Sequence, residues 1–188
     1  MDHPIQLVVT DDLRRSRLTV FFRLILALPH FVWLALWGIA AFFAHIVAWF
    51  AALFTKRVPD GIHGFLARYV RYQVHVYAYA TLAANPFPKF DGSPGTYPID
   101  VEVAPPVDQN RWTVFFRFIL AIPAMILSGA MNYLMNIVAF FAWFVCLFTG
   151  KMPEGMRSVL AYVIRYHAQT QAYYSLVTPR YPSLDVGL

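Results

Sequence analysis

Long apolar stretches alternate with short polar ones in this chain, and the alternation predicts its elements. From Leu24 to Phe54 every residue is apolar or small except His30 and His45. A spanning helix needs about 20 residues, so this run is too long for one perpendicular span. It is too short for two, and it has no central turn. Two readings remain. In one, Arg17 to Leu28 forms a short amphipathic helix at the lipid headgroups, where arginine can snorkel, Pro29 ends it, and a span follows from about His30 to Phe54. In the other, the segment is the first turns of one long kinked span. Arg111 to Ile122, Pro123 and a span from about Ala124 to Phe148 repeat the pattern. Lys56-Arg57 and Lys151 close the runs as interfacial anchors, and Trp33, Trp37, Trp49 and Trp143 are expected in aromatic belts.

Two further elements flank each run. Ile5, Leu7 and Val9, and more cleanly Ile99, Val101 and Val103 against Asp100 and Glu102, have the two-residue period of a strand. These strands are expected to pair on the membrane surface, with irregular loops as the alternative. Beyond the runs, Asp60 and Glu154 are placed to cap helices over residues 61–84 and 155–178. Gly64, Arg68, Arg71, His75 and Tyr79 follow steps of three and four and so share one face. Ser158, Tyr162, Arg165, Gln169 and Tyr173 form the matching stripe. Arginine at a bilayer centre costs about 2.5–3.5 kcal/mol on insertion scales. These helices must either turn the stripe inward or lie at the interface.

The chain aligns with itself at a shift of 94 residues without a gap. Thr19-Val-Phe-Phe-Arg23 falls on Thr113-Val-Phe-Phe-Arg117, and Ile25-Leu-Ala-Leu-Pro29 on Ile119-Leu-Ala-Ile-Pro123. Pro59-Asp-Gly61 falls on Pro153-Glu-Gly155, and Arg71-Tyr72 on Arg165-Tyr166. Apolar composition alone does not put prolines, glycines and arginines in register, so the chain is a tandem duplication. The expected units are residues 1–90 and 98–188, joined by a turn-rich linker at 91–97. A strand, then Phe-Arg-x-Ile-Leu-Ala-x-Pro, then Trp-Phe-x-x-Leu-Phe-Thr-Gly-Lys-x-Pro-x-Gly and a closing Arg-Tyr and Tyr-Pro, resembles the bacterial membrane family catalogued as domain of unknown function 4389. The resemblance covers nearly the whole chain as two copies and implies no activity or catalytic residue. The first copy departs from it with Lys56-Arg57 in place of Gly150-Lys151.

The expected fold is therefore an all-α integral membrane protein of two repeats. Each holds a surface strand, an interfacial helix, a transmembrane helix and a polar-striped helix, for about four spans in all. If the striped helices span, both copies point the same way. Arg14, Arg15, Arg17, Arg23, Lys89, Arg111, Arg117 and Arg180 then share one face, opposite Lys56, Arg57, Lys151 and Arg157. The positive-inside rule puts that face and both termini in the cytoplasm of a multi-pass inner or plasma membrane protein. If the striped helices stay on the surface, the repeats are inverted and the strands are expected not to pair. Charge asymmetry and strand pairing favour four spans.

Composition agrees with a membrane location. The chain is 59% hydrophobic and only 13% charged, against about 25% charged in soluble domains. Its net charge of +5 sits beside apolar runs, so the expected partner is the bilayer, anionic lipid included, rather than nucleic acid. Met-Asp-His-Pro at the start predicts no cleavable signal peptide, and the lone Cys146 allows no intrachain disulfide.

Catalytic signatures are missing: there is no Gly-rich phosphate loop, His-Glu-x-x-His, Cys-x-x-Cys or Gly-x-Ser-x-Gly. No cofactor or metal is expected, since His45 and His75 pair with Ala139 and Gln169 in the repeat. The candidate lipid- or partner-binding residues are Arg68, Arg71, His75, Arg165 and Gln169, with Arg23 and Arg117. Packing between the copies is the alternative role for the stripe. The expected function is a non-enzymatic scaffold or accessory subunit that binds lipid, another membrane protein or a second copy of itself. A transporter or channel component and, more weakly, a lipid-modifying enzyme are the alternatives.

Overall fold

The computed structural model describes residues 3–185, and each copy supplies one strand and three helices. The first copy contains β1 (Ile5–Val9), α1 (Arg17–Phe21), α2 (Arg23–Thr55) and α3 (Asp60–Ala80). The second contains β2 (Ile99–Val103), α4 (Arg111–Phe115), α5 (Arg117–Thr149) and α6 (Glu154–Tyr174). The chain is mostly helical with one small two-stranded sheet.

The helix break falls at Phe22 and Phe116, whose φ/ψ near −90° and 8° leave the helical region. It does not fall at the prolines. α2 and α5 run on through Pro29 and Pro123, so the separate short helix before each, expected to be interfacial, is only five residues long. A proline inside a helix loses one hydrogen bond and crowds a carbonyl one turn back. Neither end of α2 or α5 gives way to it, because the flanking turns are apolar and the helical bonds are their main means of satisfying the backbone away from water. Lys56 and Gly150 end the helices in the left-handed region, where the second copy's glycine is free of the Cβ penalty that Lys56 carries.

β1 and β2 pair antiparallel, with Leu7 opposite Val101, Ile5 opposite Val103 and Val9 opposite Ile99. Leu7 and Val101 are repeat partners, so a pseudo-two-fold axis passes between them. The rest of the molecule obeys it. α3 and α6 pack against each other, and His63 at the start of α3 bonds to the Val177 carbonyl just past the end of α6 (3.0 Å), so they run antiparallel. α1 packs on α5 of the other copy, and α4 on α2. The Trp143 indole donates to the Val20 carbonyl (2.9 Å), and that of Trp49 to Val114 (3.0 Å). These two tryptophans, expected in an aromatic belt, thus link the copies.

Three layers result. The strands touch only α3 and α6, while α2 and α5 pack on α3 and α6 from elsewhere and never approach the sheet. α3 and α6 are the core: Leu66, Val70, Val74, Leu160, Val163 and Ile164 are buried. α2 and α5 turn only a narrow stripe inward, mostly alanine (Ala27, Ala41, Ala48, Ala52, Ala121, Ala142). Small residues there let the helices approach closely. Their large side chains remain outside, with Leu24, Phe54, Ile126 and Phe148 each about 70% exposed.

This arrangement corrects the expectation of four spans. Among the described residues two helices, α2 and α5, are long and apolar enough to cross a membrane. α3 and α6 carry the polar stripe and lie inside the protein, because arginine and histidine gain backbone and carboxylate partners there that lipid does not offer. It also corrects the expected separation of charges. The backbones of Arg14 and Lys151 pair in an isolated antiparallel β-bridge, the Arg15 amide donates to the Gly150 carbonyl (2.9 Å), and that of Gln109 to the Lys56 carbonyl (2.6 Å). The start of each long helix therefore meets the end of the other, and Arg14 and Lys151 share one corner. The repeats are antiparallel and the strands pair nonetheless, because the axis runs through the sheet itself.

Candidate functional site

Asp100 is the centre of a buried polar cluster. Its position in β2 places it beside α3, where Arg71 and His75 lie one turn apart. His75 Nε2 donates to Asp100 Oδ1 (2.9 Å), and Arg71 Nε lies 3.3 Å from the same oxygen. The Val101 amide also donates to Oδ1 (2.7 Å) and the Gly95 amide to Oδ2 (2.6 Å). Burial by itself raises the Asp100 pKa. The His75 hydrogen bond and charge and the two amides outweigh it and hold the carboxyl below its ordinary value. Arg71 also donates to the Val101 (3.1 Å) and Gly92 (3.4 Å) carbonyls. Arg68 does not join them, because its side chain is exposed. Its carbonyl instead sits under Gly92, where an added Cβ would come within 2.4 Å of it.

The second copy builds the same contact with different groups. Gln169 donates to the Ile5 carbonyl of β1 (3.2 Å) and accepts from the Ser183 amide (2.9 Å). Arg165 donates to the Asp185 carbonyl and lies over the Tyr162 ring (5.2 Å). Gln6, the repeat partner of Asp100, is exposed in β1. Each stripe thus ties its helix to the other copy's strand or to the chain beyond.

Arg23 and Arg117 form a matched pair away from the sheet. Both are 1% exposed. Each guanidinium lies 4.2 Å from a tyrosine ring centre, Tyr79 for Arg23 and Tyr173 for Arg117. Arg23 donates to the Asn85 carbonyl (3.0 Å), and Arg117 to the Pro179 carbonyl (3.4 Å) and Gln109 Oε1 (2.5 Å). Asn85 and Pro179 are themselves repeat partners. Of the seven candidate residues, six are buried and partnered within the chain, in two strand clusters and two tyrosine clusters. Among the described residues no group of three histidine, cysteine or acidic side chains is placed to hold a metal ion.

A family model described as domain of unknown function (DUF4389) matches residues 17–91 and again residues 111–184. The chain belongs to this family. No curated protein and no solved structure matches. The two DUF4389 units start at α1 and α4, so β1 and β2 lie outside the matched segments. The sheet that sets the symmetry of this DUF4389 pair is built from the segments that precede each unit.

One polar feature was missed in the sequence. A crevice of about 310 Å³ opens between α5, α6 and the end of α3, lined by Tyr77, Ser128, Asn132, His167, Thr170 and Tyr174 among others. Ser128 Oγ and His167 Nδ1 are hydrogen-bonded (2.7 Å). The matched positions of the first unit are Gly38 for Asn132, Leu34 for Ser128, Gln73 for His167 and Val76 for Thr170. There Tyr69 packs over Gly38 and against Trp37, and its repeat partner is the smaller Val163. The signal was the set of polar residues in one apolar run that its duplicate lacks.

Proposed function

We propose that this chain is a non-enzymatic membrane protein, a scaffold or accessory subunit whose apolar helices α1, α2, α4 and α5 seat in lipid and hold the α3–α6–sheet body at the membrane surface. One observation carries the reading: Arg71 of α3 and Arg23 and Arg117 at the starts of α2 and α5 are turned in on carboxylate, tyrosine and backbone partners, whereas the outer helices keep their large apolar side chains exposed. Lipid is the solvent that favours such a surface. The arginine seams are dry, with Arg23, Arg71, Arg117 and Arg165 all under 10% exposed, which argues for a structural role over a water-filled transport path.

The same geometry favours seating in the plane of the membrane over a perpendicular crossing. α2 has 33 residues, about 50 Å of helix against a hydrocarbon core of about 30 Å. Leu13, bonded to Met152 at the end of α5, is four residues from β1, and Gln109, bonded to Lys56 at the end of α2, is six residues from β2. At about 3.5 Å per residue the sheet lies within about 15–20 Å of each end, that is, between them. If α2 and α5 crossed along the membrane normal, the exposed Gln6 and Glu102 would stand near mid-depth, which costs several kcal/mol. With the long helices in the plane, the pseudo-two-fold axis is the membrane normal, the sheet faces water, and both termini share that side. On this reading the location is the cell membrane, with the multi-pass topology expected from the sequence replaced by insertion into one leaflet.

Two single cysteines test this in a Cys146→Ala background: Asp12→Cys at one end of α2 and Lys56→Cys at the other, both exposed. In sealed vesicles a membrane-impermeant maleimide is expected to label both from the same side. Labelling of the two from opposite sides would establish a crossing and overturn the in-plane reading. Release of the protein from vesicles by high salt would overturn the membrane reading altogether.

A further inference from the structure

We propose that the crevice between α5, α6 and the end of α3 binds the uncharged glycerol-ester headgroup of a neutral lipid of the diacylglycerol class. The proposal rests on the membrane reading above and adds a ligand to it.

The walls decide the chemistry. Tyr77, Ser128, Asn132, His167, Thr170, Gln171 and Tyr174 bring hydroxyl, amide and imidazole groups together, and no lysine, arginine, aspartate or glutamate lines the space. A charged headgroup entering it would lose its hydration without gaining a countercharge. A hydroxyl or ester oxygen loses less and finds donors. His167 Nε2 is buried and without a hydrogen bond among the described residues, and the Thr170 hydroxyl, 5% exposed, has only the Tyr166 side chain as a partner. Buried polar groups are almost always satisfied, so a partner from outside the chain is expected here. Met125, Gly129 and Asn132 are exposed on the outer face of α5, beside Ile126, Tyr133 and Leu134, which are also exposed. The crevice therefore opens among the side chains that face lipid, and acyl chains would continue onto that surface while the headgroup turns inward.

The first unit is an internal control. With Leu34, Gly38 and Val76 in place of Ser128, Asn132 and Thr170, Gln73 bonded to Tyr69, and Tyr69 packed over Gly38, it has fewer free polar groups and less room. The difference in lining between the two copies separates the crevice from the packing common to both.

The test uses the full chain in phosphatidylcholine nanodiscs with a photoreactive diacylglycerol. Cross-links are expected in peptides covering 125–132 and 167–174, and not in 31–38. Unlabelled diacylglycerol competes, and phosphatidic acid of the same chains does not. Thr170→Val keeps the shape and removes one donor, and is expected to cut labelling about five- to tenfold. Ser128→Leu with Asn132→Gly installs the first unit's residues and abolishes it, at the modest stability cost of a helix-interior glycine, with native helix content kept in either variant. Competition by phosphatidic acid, label spread evenly over the exposed faces of α2 and α5, or unchanged labelling in Thr170→Val would each overturn the headgroup site and leave the membrane reading intact. Failure of the protein to enter the discs would overturn both.

Discussion

Replacing Asp100 by asparagine keeps the side-chain shape and removes the charge on which α3 and β2 converge. The aspartate accepts from the His75 ring and the Val101 and Gly95 amides and faces Arg71. Asparagine has one acceptor oxygen, so its NH2 must meet either the Gly95 N–H or the Val101 and His75 donors. An orphaned buried donor costs about 1–3 kcal/mol. Arg71 also loses its countercharge, and breaking a buried ion pair costs about 3–5 kcal/mol. Both side chains are under 10% exposed, so solvent screening takes little away. The Val101 and Gly92 carbonyls still hold the guanidinium, which moves the sum to its lower end, about 4 kcal/mol. For a chain of this length, at about 2–4 °C per kcal/mol, the melting midpoint should fall by about 10 °C. Thermal unfolding in mild detergent, followed by tryptophan fluorescence, reads this directly. Hydrogen exchange at residues 99–103 should rise with it. Gln6→Ala, at the exposed repeat partner, is the control and should stay within about 0.5 kcal/mol. If Asp100→Asn melts within about 2 °C of the native chain, the cluster does not hold the sheet to the core and the structural role given to Arg71 and His75 fails.

Acid should act through the same carboxyl. Its folded pKa lies below the ordinary value, so its contribution is fully present above about pH 4 and is lost as pH falls through the folded value; a melting series from pH 7 to 3 should steepen below about 4, and Asp100→Asn should flatten that limb. Gly92→Ala combines a left-handed backbone (φ 60°) with a Cβ 2.4 Å from the Arg68 carbonyl oxygen, and should cost well over the about 1–2 kcal/mol of that conformation alone. Gly95→Ala has the same handedness (φ 68°) and open space around it, so it should cost only that about 1–2 kcal/mol; equal melting of the two variants would refute the steric reading of Gly92.

The seven candidate residues illustrate how far side-chain periodicity reaches. The three- and four-residue steps of Arg71, His75 and Tyr79 identified one helical face, and all three are buried. The same steps included Arg68, which is exposed: a residue at the margin of a stripe turns in or out according to what packs beside it, and here the neighbour is the loop at Gly92. The stripe alone did not reveal its partners, since Asp100 stands 25 residues from His75 and belongs to the other copy. The crevice was hidden for a related reason. Ser128, Asn132 and His167 are unremarkable singly and converge only because α5 and α6 pack side by side.

By itself the sequence determined what is local or repeated: the duplication in register, two strands of period two, two long apolar runs and two polar-striped helices, while leaving open whether each run breaks at its proline. Each follows from spacing along the chain and from the shift of 94 residues. Only the tertiary structure decided how the copies face each other. Sequence symmetry permits both parallel and inverted repeats, and the choice rests on which surfaces bury each other best. Antiparallel pairing of β1 with β2 across Leu7 and Val101, with α1 on α5 and α4 on α2, made the repeats antiparallel and placed the sheet between the ends of the long helices. The polar helices then became the core rather than spans, because a buried arginine beside a carboxylate and backbone carbonyls is better satisfied than one in hydrocarbon.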